Sequence, residues 1–565
     1  MKLKMRDRTK NHEAKLQKKL ERKKEKQKKK EFRRLRRLRG EKMTKERKAD
    51  VKNGIARMVF SGLVIIAVCN FIIITFTRLY NVSVYVRIVT ITIGLGVSLI
   101  LYSKPKTSSM KIPWIILILI LPPLGLGLYL IVGFNSGTFI MRRRYEKVKS
   151  YLMPELNDRK IGIKRDQDYL KLKNEDPQLA NISRYLIDYS GFPVYQNTDI
   201  VYFDDASKAL SAQKEALRKA QKFIFMEYHA IEDKEAWWGI QKILEERVRA
   251  GVEVRVFYDD MGSIGFINTD FVKRMKAVGI DCRVFNPFMP GLNVFLNNRD
   301  HRKITVIDGK IGFTGGYNLA NEYFNITHPY GNWKDTGIKL IGEAVRSMTI
   351  TFLENWNAVK EGDPKDMDFK KYLPDVNYKA QEEGVFIQPY ADSPLDNERV
   401  GEEVYISMAN KASRYCWFIT PYLILTDEMR HALCLAAKRG VDVRIITPGI
   451  PDKKLVYMVT RSYYNALARD GVRIYEWTPG FCHCKMSVAD DKAATCGTIN
   501  LDYRSLYHHF ENGCLYMHTK AVLDTKDDFI RIMQQSREVT LDYKVGRKKT
   551  MRAIQLILRL FSPLL

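Results

Sequence analysis

Two stretches of this chain carry the same side chains at the same intervals: His301-x-Lys303-x-x-x-x-Asp308 and His483-x-Lys485-x-x-x-x-Asp490. The echo continues downstream. Gly315, Gly316 and Asn318 follow the first histidine at the offsets where Gly497, Thr498 and Asn500 follow the second. On a strand, alternate residues share a face, so each His would project beside its Lys. An imidazole attacks or protonates near neutral pH. The ammonium holds an anion beside it, and a glycine-rich turn lets backbone amides approach the same group. One His, one Lys and one Asn make half of a phosphate cradle. Two halves enclose a phosphodiester and supply both an attacking and a protonating imidazole. Asn318, Asn500, Gly316 and Thr498 are therefore expected at the phosphate. Asp308 and Asp490 belong to the same catalytic sets, with positioning of the motif strands as their favoured role.

The surrounding elements repeat in the same order. Phe223–Tyr228 reads as a buried strand, followed by a helix at about 235–250, the strand Val252–Tyr258, a helix at about 268–278 and the strand Asp281–Phe285. The second half repeats this with a strand from Trp417, a helix at about 426–439, the strand Val441–Ile446, a helix at about 453–469 and the strand Val472–Tyr475. Gly251, Gly279, Gly440 and Gly471 stand at the helix exits. This pattern predicts parallel βαβ units, one α/β lobe per half, with the site between lobes.

These residues resemble the phospholipase D superfamily, and within it the bacterial cardiolipin synthase branch. The resemblance covers about 175–565. It is carried by Asn298-Arg-Asp-His301-Arg-Lys303, Gly315-Gly-Tyr-Asn318-Leu-Ala-Asn-Glu-Tyr323 and Trp333-Lys-Asp335-Thr. In the second half the matching strings are Thr420-Pro-Tyr422 and Gly497-Thr-Ile-Asn500-Leu-Asp-Tyr-Arg504-Ser505, with the terminal Ser-Pro-Leu-Leu. It implies two phospholipase D-like lobes, each a mixed, mostly parallel sheet with flanking helices, behind N-terminal transmembrane helices. It also implies a phosphohistidine on one His, protonation of the leaving alcohol by the other, and no metal or other cofactor. Each His would be oriented by a carboxylate downstream, at positions matching Asp335 and Glu511. His301 is the expected nucleophile and His483 the general acid, then base. Lys303, Lys485, Asn318 and Asn500 would hold the non-bridging oxygens.

The chain departs from that pattern at Lys334, where Arg is usual, at Cys484 between His483 and Lys485, and at His509, where Asn is common. Cys482 and Cys484 flank His483, but alternation turns them to the opposite face, and no second paired-cysteine element completes a zinc site. They read as core thiols. Eight cysteines scattered over 565 residues suggest no disulfide framework.

The N-terminal third is a different polymer. Residues 1–50 hold 24 Lys/Arg against 8 Asp/Glu, about half of the chain's net charge of +30. A polybasic arm beside a membrane span is drawn to anionic headgroups, although nucleic acid offers the same phosphates. Three apolar runs follow: Met58–Phe76, Val82–Tyr102 with Arg87, and Ile112–Phe134 with Pro122-Pro123. The first does not read as a cleavable signal, because its basic region is too long and no small-residue site follows.

The expected organisation is a cytoplasmic tail (1–57), a membrane region of two or three spans (58–134), a linker (135–175), a first lobe (176–365), a linker (366–394) and a second lobe (395–565). Basic residues before the first run and at 142–149 favour an even number of crossings, with catalysis on the cytoplasmic side. Residues 547–561 read as a basic amphipathic helix that either closes the second lobe or lies on the membrane.

Three functions compete. The first is a multi-pass membrane phosphatidyltransferase making cardiolipin and glycerol from phosphatidylglycerol. The second is a hydrolytic relative acting on phospholipid or nucleic acid. The third is a non-enzymatic membrane scaffold. The membrane runs weigh against nucleic acid as substrate, and the intact duplicated set weighs against a scaffold.

Overall fold

The structure is a computed structural model. It describes residues 83–104, 107–133, 138–157, 159–268, 270–287, 298–360 and 362–545, with scattered residues of 58–78 and the pair 558–559. The polybasic tail, most of the first apolar run and most of the C-terminal basic segment lie outside the described residues.

The first lobe contains β1 (Thr198–Phe203), β2 (Phe223–Tyr228), β3 (Glu253–Asp259), β4 (Asp281–Phe285), β5 (Arg299–Asp300), β6 (Lys303–Ile307), β7 (Ile311–Gly315), β8 (Asn332–Lys334) and β9 (Gly337–Gly342). The second contains β10 (Phe386–Asp392), β11 (Tyr415–Ile419), β12 (Asp442–Pro448), β13 (Arg473–Trp477), β14 (Gly480–Cys482), β15 (Met486–Ala489), β16 (Ala493–Gly497), β17 (His509–Met517) and β18 (Ser536–Glu538). The first sheet runs β1-β9-β7-β6-β2-β3-β4, and the second runs β10-β17-β16-β15-β11-β12-β13-β18. The orders correspond strand for strand until β18 extends the second edge. The internal repeat is therefore structural.

The expected βαβ units are present: β2, β3 and β4 are parallel, as are β11, β12 and β13. Gly251, Gly279, Gly440 and Gly471 all adopt positive φ at the helix exits, where a Cβ would be strained. The expectation of mostly parallel sheets is corrected, because every other pairing along the two sheet orders is antiparallel. The reason is connection length. Three residues, 308–310, join β6 to β7, and three more, 491 being the middle one, join β15 to β16. A parallel crossover needs about a dozen residues.

Asp308 and Asp490 open those turns, each at φ 54°. Asp308 accepts the amides of Gln221, Lys222 and Phe223 at 2.7–2.9 Å. Asp490 accepts those of Ser413, Arg414 and Tyr415 at 2.7–2.9 Å. Each carboxylate thus fastens its motif strand to the start of the neighbouring strand, β2 or β11.

Both expected linkers, 135–175 and 366–394, carry structure of their own. Within 135–175, the helices Thr138–Leu152 and Arg159–Glu175 bury Tyr145, Val148, Leu152 and Leu172 against the catalytic body. The Tyr145 ring stacks on Phe510 at 4.9 Å, and its hydroxyl donates to Asn355 at 2.8 Å. Within 366–394, β10 forms a strand of the second sheet. One apolar core joins the lobes, running through Phe225, Ile304 and Trp356 of the first to Phe418, Met486 and Phe510 of the second. Full burial of each such side chain contributes about 1.5–3 kcal/mol.

In the apolar region, Val84–Ser103 is, among the described residues, the one helix long and apolar enough to cross a bilayer. The third run does not form one continuous helix. It breaks at Leu121 into Ser108–Ile120 and Pro122–Leu128. Thirteen residues rise about 20 Å, short of the roughly 30 Å hydrocarbon core. Gly125 packs so tightly on Ile118 that a Cβ there would lie 2.5 Å from its Cα. The chain therefore folds back on itself at Leu121, and the two prolines open the returning helix.

Asp490→Ala is expected to cost about 2–3 kcal/mol, because three strand-end amides, the buried one of Tyr415 among them, lose a charged acceptor. Thermal unfolding of the purified protein should show the drop, while the folded fraction keeps its turnover number. An unchanged midpoint would remove the fastening role.

Candidate active site

Neither motif histidine lies within a sheet. His301 sits between β5 and β6, and His483 between β14 and β15. Each is held from the opposite lobe. β5 pairs with β17, and the His301 amide donates to Phe510 O at 2.9 Å. β14 pairs with β8, and the His483 amide donates to Lys334 O at 2.8 Å.

The carboxylates cross over in the same way. His301 Nδ1 lies 2.9 Å from both oxygens of Glu511, and His483 Nδ1 lies 2.7 Å from Asp335. Asp335 and Glu511 are thus the carboxylates in contact with the two imidazoles, but the expected downstream position holds for His301 alone. His301 takes Glu511 from the other lobe, and His483 takes Asp335, which precedes it. Sequence order could not show this, because the partner is set by how two similar lobes face each other. Both imidazoles are buried, with Nδ1 of each on a carboxylate of the other lobe.

The expected phosphate contacts divide. Lys303 Nζ donates to His301 O at 2.7 Å, and Lys485 Nζ lies 2.9 Å from the His483 ring nitrogens. Asn318 accepts the Ala230 amide at 3.2 Å and donates to the Tyr323 hydroxyl at 2.7 Å. Asn500 Oδ1 is buried without a hydrogen-bond partner, and rotating the amide would present its NH2 in the same place.

Gly316 and Thr498 do not offer their amides to a phosphate. The Gly316 amide donates to Thr336 O at 3.1 Å, and that of Thr498 to Asn512 O at 2.9 Å. Both support the orienting carboxylates instead. A Cβ on Gly316 would stand 2.1 Å from Asp335 Oδ1, and the Thr498 hydroxyl donates to Glu511. Asp308 and Asp490, counted with the catalytic sets, are spent at the strand ends.

Four residues near the histidines were not picked out as site residues in the sequence. Asn512 accepts the Lys303 amide at 3.3 Å and donates to Thr314 at 2.8 Å, joining the lobes. His229 lies edge-on to His301 at 5.0 Å, and its Nδ1 meets Asp300 O at 2.7 Å. Tyr323 and Phe481 wall the other side, 5.2 Å and 5.8 Å from His483. His229 follows directly on β2, at its C-terminal end, and that position was the available signal.

Arg302 projects away from the cleft and ties the lobes together. It donates to Glu511 O at 3.2 Å, Thr351 O at 3.1 Å and Glu354 at 3.2 Å. Its counterpart Cys484 is buried, as is Cys482, with the two sulfurs 3.9 Å apart. The thiols thus lie in the core, as alternation predicts. Lys334 pairs with Asp528 at 2.8 Å.

Burial sets the proton affinities. It lowers His301 to about 3, against the pull of Glu511. Burial works to raise Glu511, yet the adjoining His301 and His509 imidazoles hold it well below the usual carboxylate range. Burial lifts Asp335 to about 7, outweighing Lys485 and Lys303, and drives His483 well below its ordinary value. Burial also lowers Lys303 to about 7 and Lys485 to about 8. One site thus holds a neutral imidazole on an ionised carboxylate. The other is an imidazole–carboxyl pair that retains a proton up to neutrality.

Two His–carboxylate pairs beside two lysines, built on a repeated mixed sheet, define a phosphodiester-transfer enzyme of the phospholipase D superfamily. Residues 214–332 and 405–533 match the family described as "Cardiolipin synthase, PLD-like domain", and residues 90–133 match a phospholipase D-nuclease N-terminal domain. The cardiolipin synthases of Geobacillus sp. (strain WCH70) and Clostridium perfringens (strain SM101) are 31% and 32% identical. Each alignment spans 80% of this chain, with 88% and 93% of the respective relative. An uncharacterized protein of Streptococcus mutans is 44% identical over 80% of this chain and 96% of its own. The phosphatidylserine synthase of Haemophilus influenzae shares the fold, with a TM-score of 0.51 at 15% identity, covering 68% of this chain and 98% of that one. The chain belongs to the bacterial cardiolipin synthase family.

The free enzyme's kcat/KM should fall as pH rises through about 7 to 8. Lys303 and Lys485, with depressed values, are cationic below that window and neutral above it. Asp335, with a raised value, gives up the pair's proton over the same range. A pH–rate profile that stays flat from 6 to 9 would contradict this assignment.

Proposed function

We propose that this protein is a membrane phosphatidyltransferase that makes cardiolipin and glycerol from two phosphatidylglycerol molecules. The observation that carries the mechanism is the contrast between the crossed pairs. His301 sits on ionised Glu511 with its Nε2 lone pair available, which suits a nucleophile. His483 and Asp335 hold a proton near neutrality, which suits a general acid.

His301 Nε2 attacks the phosphorus of the first lipid, and the bond to the glycerol oxygen breaks. His483 gives that oxygen its proton. The hydroxyl of the second phosphatidylglycerol then returns a proton to His483 while its oxygen takes the phosphorus from His301. Cardiolipin forms and the imidazole is restored. Lys303, Lys485, Asn318 and Asn500 surround the non-bridging oxygens, where a fixed positive field in a water-poor site is most effective.

The apolar segments give the enzyme its place. We read Val84–Ser103 as a membrane span, with the broken third run dipping in and returning. A second crossing from the first run, 58–76, gives an even number and leaves the catalytic body on the cytoplasmic side, with Arg142–Arg144. On this reading the polybasic tail and the net charge of +30 favour anionic phospholipids as substrate and surface.

Purified protein given labelled phosphatidylglycerol should yield cardiolipin and glycerol by mass spectrometry. Phosphatidic acid as the main product would assign hydrolysis instead. His301→Ala and His483→Ala should each lower turnover by about 10³-fold or more. Full activity in both variants would end the two-histidine mechanism.

A further inference from the structure

Beside His301 and Glu511 lies a third group, His509, that the transfer reaction does not use. His509 precedes Glu511 by two residues on β17, so its side chain shares that face of the strand. Its ring lies 5.5 Å from that of His301, and its Nδ1 stands 3.7 Å from Glu511 Oε1. Neither ring nitrogen of His509 has a hydrogen-bond partner. One ligand atom each from His301, His509 and Glu511 lies within 4.8 Å of the others.

We propose that His301, His509 and Glu511 form an inhibitory site for a first-row divalent cation, with Zn2+ the best-suited probe. Two imidazoles and a carboxylate are a donor set that zinc takes readily, with a fourth position left open. Ligand bonds of about 2.0–2.2 Å place tetrahedral ligand atoms roughly 3.3 Å apart. The spacings of 2.9 Å and 3.7 Å from Glu511 to the two imidazoles bracket that distance. The side chains of His301 and His509 are 10% and 11% exposed, while both ring nitrogens of His509 are buried and unpartnered.

A bound cation takes the His301 Nδ1 lone pair, and the proton that Nδ1 shared with Glu511 moves to Nε2, so the ring stays neutral. Nε2 then has no lone pair with which to attack phosphorus. The effect on rate rests on the transfer reading above, whereas the binding does not. The other half-site cannot do the same. The residue two before Asp335 is Trp333, whose ring packs 5.4 Å from His483 and offers no ligand.

The test uses the full-length protein in detergent micelles. Zn2+ binding is measured by competition with a chromophoric chelator, and Co2+ is used as a spectroscopic substitute. One equivalent of Zn2+ should bind with a four- or five-coordinate Co2+ spectrum. His509→Asn and His509→Gln should each weaken binding by about 10–100-fold, whereas His483→Asn retains it. Zn2+ should also inhibit transfer reversibly by chelator. Normalised to its own metal-free rate, His509→Asn should need at least about tenfold more Zn2+ for the same inhibition. Near-UV circular dichroism checks that the variants are folded. Unchanged Zn2+ affinity in both folded His509 variants, or loss of binding in His483→Asn, would overturn the proposal. Failure to make cardiolipin would overturn the function reading but leave the binding result standing.

Discussion

The catalytic region depends on a hydrogen bond that neither lobe can make alone, from a buried imidazole to a carboxylate of the other lobe. Glu511 reaches His301 and Asp335 reaches His483. The backbone repeats the exchange, with β5 on β17 and β14 on β8. Separating the lobes would deprive both carboxylic groups of their imidazole partners. The shared core and the buried Arg302 bridge reinforce the same docking. Assembly of the fold and assembly of the site are therefore one event.

Burial also explains how two copies of one motif come to hold their protons differently. Desolvation resists charge on every group in the cleft, and local partners decide which group yields. Around Glu511, two imidazoles and the Thr498 hydroxyl favour the ionised form. Around Asp335, Gly316 replaces that hydroxyl with bare space for the carboxylate, and burial prevails. The lysines remain close enough to their charged range for an arriving phosphate to complete their protonation.

Much of this was readable in the residues before any coordinates. The spacing of His301, Lys303, His483 and Lys485 gave the chemistry, and Gly251, Gly279, Gly440 and Gly471 marked the helix exits of the parallel units. Local pattern could say this because side-chain periodicity and positive-φ turns are local physics. The crossed pairing was hidden, since it belongs to the relation between lobes. The antiparallel half of each sheet follows from the three-residue turns 308–310 and 490–492, which the βαβ spacing does not register. The segment 135–175 looked like a linker because its charged residues outnumber the few, Tyr145 and Leu152 among them, that reach the core. Gly316 and Thr498 matched the right offsets but serve the carboxylates, a distinction that rests on a hydrogen bond rather than a residue type.

The deepest asymmetry lies two residues before each orienting carboxylate. There one lobe has Trp333 and the other His509. Trp333 joins Tyr323 and Phe481 in an aromatic wall around His483, a setting that excludes water and holds a proton on the pair. His509 joins His229 beside His301, a polar setting that lets Glu511 keep its charge. The proposed mechanism asks one histidine to attack and the other to protonate, and two identical half-sites would not distinguish them. Because the repeats sit in one chain, each position could take its own residue. The duplicated scaffold supplies matching geometry, and the unmatched neighbours supply the difference in proton affinity that the proposed two-step displacement needs.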